Sequence, residues 1–415
     1  MIAPSASNQL HQATGGSQTR LIELRGGLGA VPGVKLAGVH AGIKKRKPDL
    51  AVVTFAEPMV CASVVTTNEI KAAPLLVSEQ HIAMSGTTMR AIVCNAGCAN
   101  ACTGERGERD ARATARQAAA LLGIEQTEVI VASTGVIGVY LPMDRVHKGL
   151  ERAVKDLEEG MEAAYDAAEA IMTTDNEPKL AAYAFYDGKT RYVVGGIAKG
   201  SGMIAPNMAT MLAFIATNAP MSRESLRDEL RVANDTSFNM ISVDGDMSTN
   251  DSCYAFAPPG DGAAPAGFAD ALRAVTRQLA IAMVTDGEGA TKTLTVDITS
   301  AKDETQARAV ARAIINSNLV KTALYGEDPN WGRIIAAAGS VKAGIDPHTW
   351  SLYLGEKMWV DCGAIEVLSE AEGHRELENT SVHVRLDLGI GEATATAWGC
   401  DLSRDYVRIN AHYRT

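Results

Sequence analysis

The sequence predicts an α/β protein whose last third turns into a smaller, β-rich α+β domain. Strand-like and helix-like segments alternate through the first two thirds, as layered sheets covered by helices require. Several Ala-rich segments carry helical patterning and end at Gly or begin at a capping residue. Beyond residue 293 a series of short strand-like runs takes over, which places a domain boundary near residues 290–300.

Taken in order, "DLAVVTFA" (49–56) and "CASVVTTN" (61–68) read as two strands joined by a Pro-containing turn. "GERDARATARQAAALLG" (107–123) groups its polar residues on one side and ends in Gly, which predicts a helix. "EVIVASTGVIG" is a strand running into a Gly-bearing loop, and "MDRVHKGLERAVKDL" and the Ala-rich stretch to Ile171 are helices. "RYVVGGIAKGSGMIAPNMATMLAFIATNA" reads as strand, loop, strand, with Thr210 where the second strand begins. Ser222 caps a helix over "SRESLRDELRVAN", and "FADALRAVTRQLAIAMV" is amphipathic. "TLTVDIT" is a strand and "DETQARAVARAIINS" a helix; "WSLYLG", "KMWVDCG", "SVHVRLDLG", "ATATAWG" and "YVRIN" are read as strands.

Composition narrows the function classes. With 46% hydrophobic and 21% charged residues, the 415-residue chain has ample material for cores in two or three compact units. A net charge of −10, with no basic run beyond "KKRK" (44–47), argues against nucleic-acid binding. The polar stretch over residues 1–24 lacks the apolar centre of a secretory signal and is expected to be a disordered tail. Seven scattered cysteines fit a reducing cytoplasm better than a disulfide framework. The longest uncharged segment, between Lys199 and Arg223, is interrupted by Gly200, Gly202, Pro206, Asn207 and Pro220, which makes a poor membrane span. A buried strand with a tight loop before it accounts for it better.

The residues that could carry chemistry are few. The eight histidines show neither an HExxH pattern nor close pairing, and no G-x-S-x-G elbow occurs. Cys94, Cys98 and Cys102 stand at four-residue steps, off the usual spacing of iron–sulfur ligands and compatible with small apolar filler. "ASTGVIG" (132–138), a Gly-bearing loop after a strand, could cradle a phosphate or serve as an oxyanion hole. Thr210 is either an ordinary buried strand residue or a concealed nucleophile. A Thr hydroxyl needs a base, and its own α-amine, with a pKa of about 7.7–8.0, is one once the preceding peptide bond is cut. A strained loop ahead of a rigid strand suits that cut: the hydroxyl attacks the Ala209 carbonyl, the amide becomes an ester, and water releases it.

"KGSGMIAPNMATMLAF" (199–214) closely resembles the self-cleavage segment of the ornithine acetyltransferase family, the bifunctional glutamate N-acetyltransferases of arginine biosynthesis. "GVHAGIKKRKPDLAVV", "NAGCANACTGERG", "VASTGVIG", "SVDGDMSTND", "KTALYGEDPNWGRI" and "WGCDLSRDYVRINAHYRT" follow as family-like blocks in family order. The resemblance implies a layered α-β-β-α sandwich over residues 25–292, of the type shared with self-processing aminopeptidases, followed by the domain 293–415. It implies cleavage between Ala209 and Thr210, with Thr210 then taking acetyl from N-acetylornithine, releasing ornithine, and passing it to glutamate to give N-acetylglutamate. Thr134 and Gly135 match the family's oxyanion pair. Lys199, Glu288, Asn410, Thr415 and either Thr173 or Thr174 match its substrate-binding positions. No permanently bound cofactor and no metal are implied, and acetyl-CoA is a second donor only in members with both activities. The two fragments of such enzymes assemble as an α2β2 heterotetramer in the cytoplasm. Cys98, Met247 and His412 depart from the family's Asn, Thr and Asp, and none coincides with the nucleophile or the oxyanion pair. Two other readings share these features: a self-processing aminopeptidase or amidase in which water is the acceptor, and a non-catalytic ligand-binding relative that never matures.

Overall fold

The computed structural model describes residues 20–205, 211–361 and 365–412. Its frame is a nine-stranded sheet built on one long strand, Leu50–Val65. The first half of that strand pairs with Val34–Val39 and Met89–Cys98, and the latter runs parallel to Val129–Val136. The second half pairs with Ser252–Ala257, and the sheet continues through Leu212–Thr217, Thr190–Lys199 and Lys179–Asp187. The expected Pro turn between two strands is therefore absent. The chain passes through Pro58 as a register shift between Thr54 and Met59, because a Pro at an irregularity forfeits no ladder bond. The expected tail is also shorter at its C-terminal end: Ile22–Leu24 pairs antiparallel with Ala182–Ala184.

The strands alternate between cores rather than between core and water. Leu212, Phe214 and Ala216 pack with Ala51, Val53, Phe55, Tyr254 and Phe256 in a central core between the two half-sheets. Ala213 and Ile215 point the other way, against the helices Arg223–Asp235 and Phe268–Thr285. On the far side of the first half-sheet, Val52, Val93 and Val131 meet the helices Gly104–Leu122 and Met143–Lys155. Helix, half-sheet, half-sheet and helix thus form four layers around one sandwich. A strand buried on both faces has no position for a charge, which explains the uncharged run. All residues of Leu212–Thr217 are buried.

The remaining strands form a seven-stranded sheet containing Thr293–Ala301, Ser351–Leu354, Lys357–Asp361, Ser381–Asp387 and Ala393–Cys400, with Ile241–Ser242 added at one edge. Its inner face packs on the helix Glu304–Asn316, and it shares a core with the helices Arg223–Asp235 and Phe268–Thr285. "YVRIN" is helix, not strand. Ser403 accepts hydrogen bonds from the amides of Asp405 and Tyr406 and so starts a helix over Arg404–Ala411, overriding the β-branched Val407 and Ile409. Cys94 and Cys98 enter different cores across an irregularity at Gly97, so the four-residue spacing does not place them together. Among the described residues no helix is long and apolar enough to cross a membrane.

Candidate active site

A cavity of about 320 Å³ opens where the parallel pair Met89–Cys98 and Val129–Val136 meets the end of the strand Thr190–Lys199. Cavities of similar volume occur elsewhere on the surface, so chemistry rather than size distinguishes this one. Thr134, Gly135, Thr173, Thr174, Lys199, Glu288 and Asn410 all line it. Ala209, Thr210 and Thr415 lie outside the described residues. Met211, which follows Thr210, is buried and tied at both ends: its N–H donates to Asp251 Oδ1 at 2.9 Å, and its carbonyl accepts from the Ser252 amide at 3.0 Å.

Thr134 and Gly135 owe their placement to a tight crossing. Gly135 has φ +130°, and a Cβ there would overlap the backbone of Gly97 and Cys98, so only Gly lets the two strands approach. Beneath this crossing, Asn250 Nδ2 donates to the carbonyls of Ala99 (2.7 Å) and Ser133 (2.8 Å). The Ser133 hydroxyl donates to Asn95 Oδ1 at 2.6 Å. Lys199, although 2% exposed, directs its Nζ at Thr134 Oγ1 at 3.2 Å. An ammonium can only donate. Thr134 therefore accepts from Lys199 and keeps its own proton for a group in the cavity.

The opposite wall is built by a second set of short contacts. The Glu288 N–H donates to the Ser201 carbonyl at 2.7 Å, and a Cβ on Gly202 would overlap the Glu288 carboxylate. Glu288 is buried, and its Oε2 accepts from Asn410 Nδ2 at 2.7 Å, which ties the C-terminal helix to the cavity. The hydroxyls of Thr174 and Ser201 share a hydrogen bond of 2.8 Å. Met203 takes a left-handed φ of +55°, unusual for a side-chain-bearing residue. Asp244 holds it there by accepting from the amides of Met203 (2.6 Å) and Ile204 (2.8 Å), and it also accepts from the Tyr406 hydroxyl at 3.2 Å.

Burial dominates the two carboxyls that anchor the edges of this segment. It lifts Asp244 above the ordinary carboxylate range despite backbone donors at Met203, Asp246 and Ile204. It lifts Asp251 well above that range although the Met211 and Ser248 amides and the charge of Lys199 oppose it. The cavity thus offers one buried cation, one buried carboxylate and a hydroxyl beside a Gly-bearing strand. Sequence reasoning did not single out Ser248, Asn250 or Gly202 as lining residues. For Ser248 and Asn250 the signal lay in "SVDGDMSTND", whose clustered small polar residues turn back under the strand Val129–Val136.

Residues 35–415 match the ArgJ family. The chain belongs to that family. The arginine biosynthesis bifunctional protein ArgJ of Symbiobacterium thermophilum is 47% identical over 404 residues, covering 94% of this chain and 99% of that protein. The protein of the same name from Thermotoga neapolitana is 44% identical over 399 residues, covering 92% and 99%. Among solved structures, the ornithine acetyltransferase of Mycobacterium tuberculosis complexed with ornithine is 43% identical, with a TM-score of 0.42. That match covers 46% of this chain and 98% of the other.

Proposed function

We propose that this member of the ArgJ family is a self-processing acetyltransferase of arginine biosynthesis that moves acetyl from N-acetylornithine to glutamate. The observation that carries the reading is the pairing, in one cavity, of the Lys199–Thr134 contact with the buried Glu288 carboxylate, beside Met211 and the strand Leu212–Thr217. Family membership and the near full-length likeness to bifunctional arginine-biosynthesis proteins support it.

In this reading the peptide bond between Ala209 and Thr210 is cut, and the new α-amine of Thr210 takes the proton from its own hydroxyl. The hydroxyl oxygen bonds to the acetyl carbonyl carbon of N-acetylornithine. The negative oxygen that develops is met by the Thr134 hydroxyl, whose proton Lys199 leaves free, and by the Gly135 N–H. Collapse breaks the amide C–N bond, the α-ammonium of Thr210 returns its proton to the departing amine, and ornithine leaves an acetyl-Thr ester. The glutamate α-amine then attacks that ester through the same geometry and departs as N-acetylglutamate. Lys199 would hold the α-carboxylate common to both substrates, and Glu288 the distal ammonium of the ornithine side chain. Thr173 or Thr174, Asn410 and Thr415 would complete the substrate contacts.

Acetyl-CoA would enter as a second donor to Thr210, with no cofactor resident in the site. The fragments would remain together as an α2β2 heterotetramer. The free cysteines among the described residues fit a reducing cytoplasm. Incubating the purified enzyme with N-acetylornithine, with and without glutamate, tests the reading. Transfer to glutamate with little loss of acetyl to water is expected. Rapid acetyl loss that glutamate does not suppress would make the protein an amidase, and no turnover by an uncut chain would make it a binding relative.

A further inference from the structure

Asp175 belongs to neither the oxyanion pair nor the cavity lining, yet it sits at the junction of the elements that supply the substrate contacts. Its side chain is fully buried. Oδ2 accepts from the Thr173 amide at 3.1 Å, and Oδ1 accepts from the Gly200 amide at 2.7 Å and from Lys179 Nζ at 2.7 Å. Lys179, itself buried, carries the link onward to Asp286 Oδ2 at 2.7 Å, two residues before Glu288. On the other side of the 173–176 turn, Lys44 Nζ donates to the Met172 carbonyl at 3.0 Å.

We infer that Asp175 is the positioning residue of the substrate site, holding the Thr173–Thr174 turn and the Lys199 strand end in register through Thr173 N and Gly200 N. The inference rests on the acetyltransferase reading and extends it. A buried carboxylate is costly unless its oxygens are satisfied by charged or amide donors, and here two of the three donors, the Thr173 and Gly200 amides, belong to segments at the cavity, while Lys179 supplies the charge from outside it. Burial alone would raise the Asp175 pKa, but the charges of Lys199 and Lys179 and the hydrogen bonds from Lys179 and Gly200 bring it to about 2. The group is therefore a fixed negative charge beside Lys199. It lets that cation stay buried before substrate arrives and keeps it aimed when the substrate α-carboxylate binds.

An amide cannot reproduce this. In Asp175→Asn, Oδ1 can still accept from Gly200 and Lys179, but the amide NH2 then opposes the Thr173 N–H, and the charge facing Lys199 is gone. Because Lys199 contacts a carboxylate shared by donor and acceptor, both substrates should weaken in ground state and transition state alike. Such a loss raises KM and spares kcat.

The test is steady-state acetyl transfer by the full-length, matured enzyme, with wild type, Asp175→Asn and Asp286→Asn compared after intact-mass measurement of the cut fraction. Asp175→Asn should raise KM for both N-acetylornithine and glutamate about tenfold or more, with kcat within about threefold. Asp286→Asn loses the far end of the same ion network and weakens the bonds Asp286 accepts from Asn176 at 2.8 and 3.0 Å, but leaves the Thr173 and Gly200 amides bonded to Asp175, so its KM values should rise clearly less than those of Asp175→Asn while its thermal stability falls. Wild-type KM values in matured Asp175→Asn would overturn the inference, as would equal KM increases in both variants. Should Asp175→Asn fail to fold, Asp175→Glu keeps the charge but moves the carboxylate by one methylene away from both amides. Wild-type KM values in that variant would overturn the inference equally. A wild-type enzyme without transfer activity refutes the proposed function, and this inference falls with it. An active wild type with an unaffected Asp175→Asn refutes the inference alone.

Discussion

Replacing Thr134 by Val separates chemistry from binding at this site. The two side chains share a β-branched shape, so Val can occupy the same buried strand position. The substitution removes one hydroxyl with two roles: it accepts from Lys199 Nζ at 3.2 Å, and in the proposed mechanism it donates its own proton to the oxyanion. Loss of a single oxyanion donor costs roughly 10²–10³ in kcat, about 2.7–4 kcal/mol. The Lys199 contact is long for a hydrogen bond, and losing an acceptor for a buried donor costs about 1–3 kcal/mol of stability. In the proposed mechanism both acetyl-transfer steps pass through a tetrahedral oxyanion, so each half-reaction should slow by the same order, while KM moves by no more than about threefold. The assay is acetyl transfer at saturating substrate, divided by the fraction of chain that intact mass shows to be cut, because the same donor can serve the cleavage reaction. A matured Thr134→Val enzyme with kcat within about threefold of wild type would refute the oxyanion assignment, and so would a loss confined to KM.

Glu288→Gln keeps the shape of the cavity wall but removes the charge that the proposed mechanism sets against the substrate ammonium. KM for N-acetylornithine should rise about 10- to 100-fold, the equivalent of losing roughly 1.5–3 kcal/mol, with a smaller effect on glutamate; equal effects on both substrates would remove Glu288 from ammonium recognition. On the open face of the C-terminal sheet, His383 Nε2 lies 2.7 Å from Asp297 Oδ2, and the Thr396 hydroxyl donates to Oδ1. The hydrogen bond to Asp297 raises the His383 pKa, and against burial the bonds from His383 and Thr396 lower that of Asp297. The stability that His383 adds is fully present below its unfolded pKa of about 6.5 and fades as pH rises through the higher folded value. The Asp297 contribution is lost instead as pH falls through its depressed value. The melting-temperature gap between wild type and His383→Asn should therefore narrow between pH 6 and pH 9; a constant gap would show that the ion pair adds nothing.

Much of the frame was legible because burial on two faces leaves a plain mark. The strand over Leu212–Thr217 lies between two cores, so a run without charge and rich in Leu, Phe and Ile marks it even without alternation. Helix starts at Ser222 and Asp303 were readable because each side chain accepts from an amide three residues on. The reading failed where a local signal competed with a non-local one. Pro58 suggested a turn, but pairing partners on both halves carry the strand straight through it. Val407 and Ile409 suggested a strand, but the Ser403 cap sits against the Gly289 carbonyl and fixes a helix there. At the site, cavity-lining types such as Lys199 and Glu288 stood out through a family resemblance. Asp175 did not, because the Gly200 amide that it accepts from lies 25 residues away in sequence, and Asp286, which shares Lys179 with it, lies 111 residues away. Nothing in "IMTTDNEPK" shows that its acid would be buried and shared.

The central claim is that Thr210 becomes an N-terminal nucleophile that carries the acetyl group between substrates. Intact-mass measurement of the purified enzyme, before and after N-acetylornithine and again after glutamate, tests it most directly. Self-cleavage should give fragments of 209 and 206 residues, the second beginning at Thr210. That second fragment should gain the mass of one acetyl group with N-acetylornithine and lose it when glutamate is added. An uncut 415-residue chain, or a cut enzyme whose second fragment never gains acetyl while transfer proceeds, would contradict it.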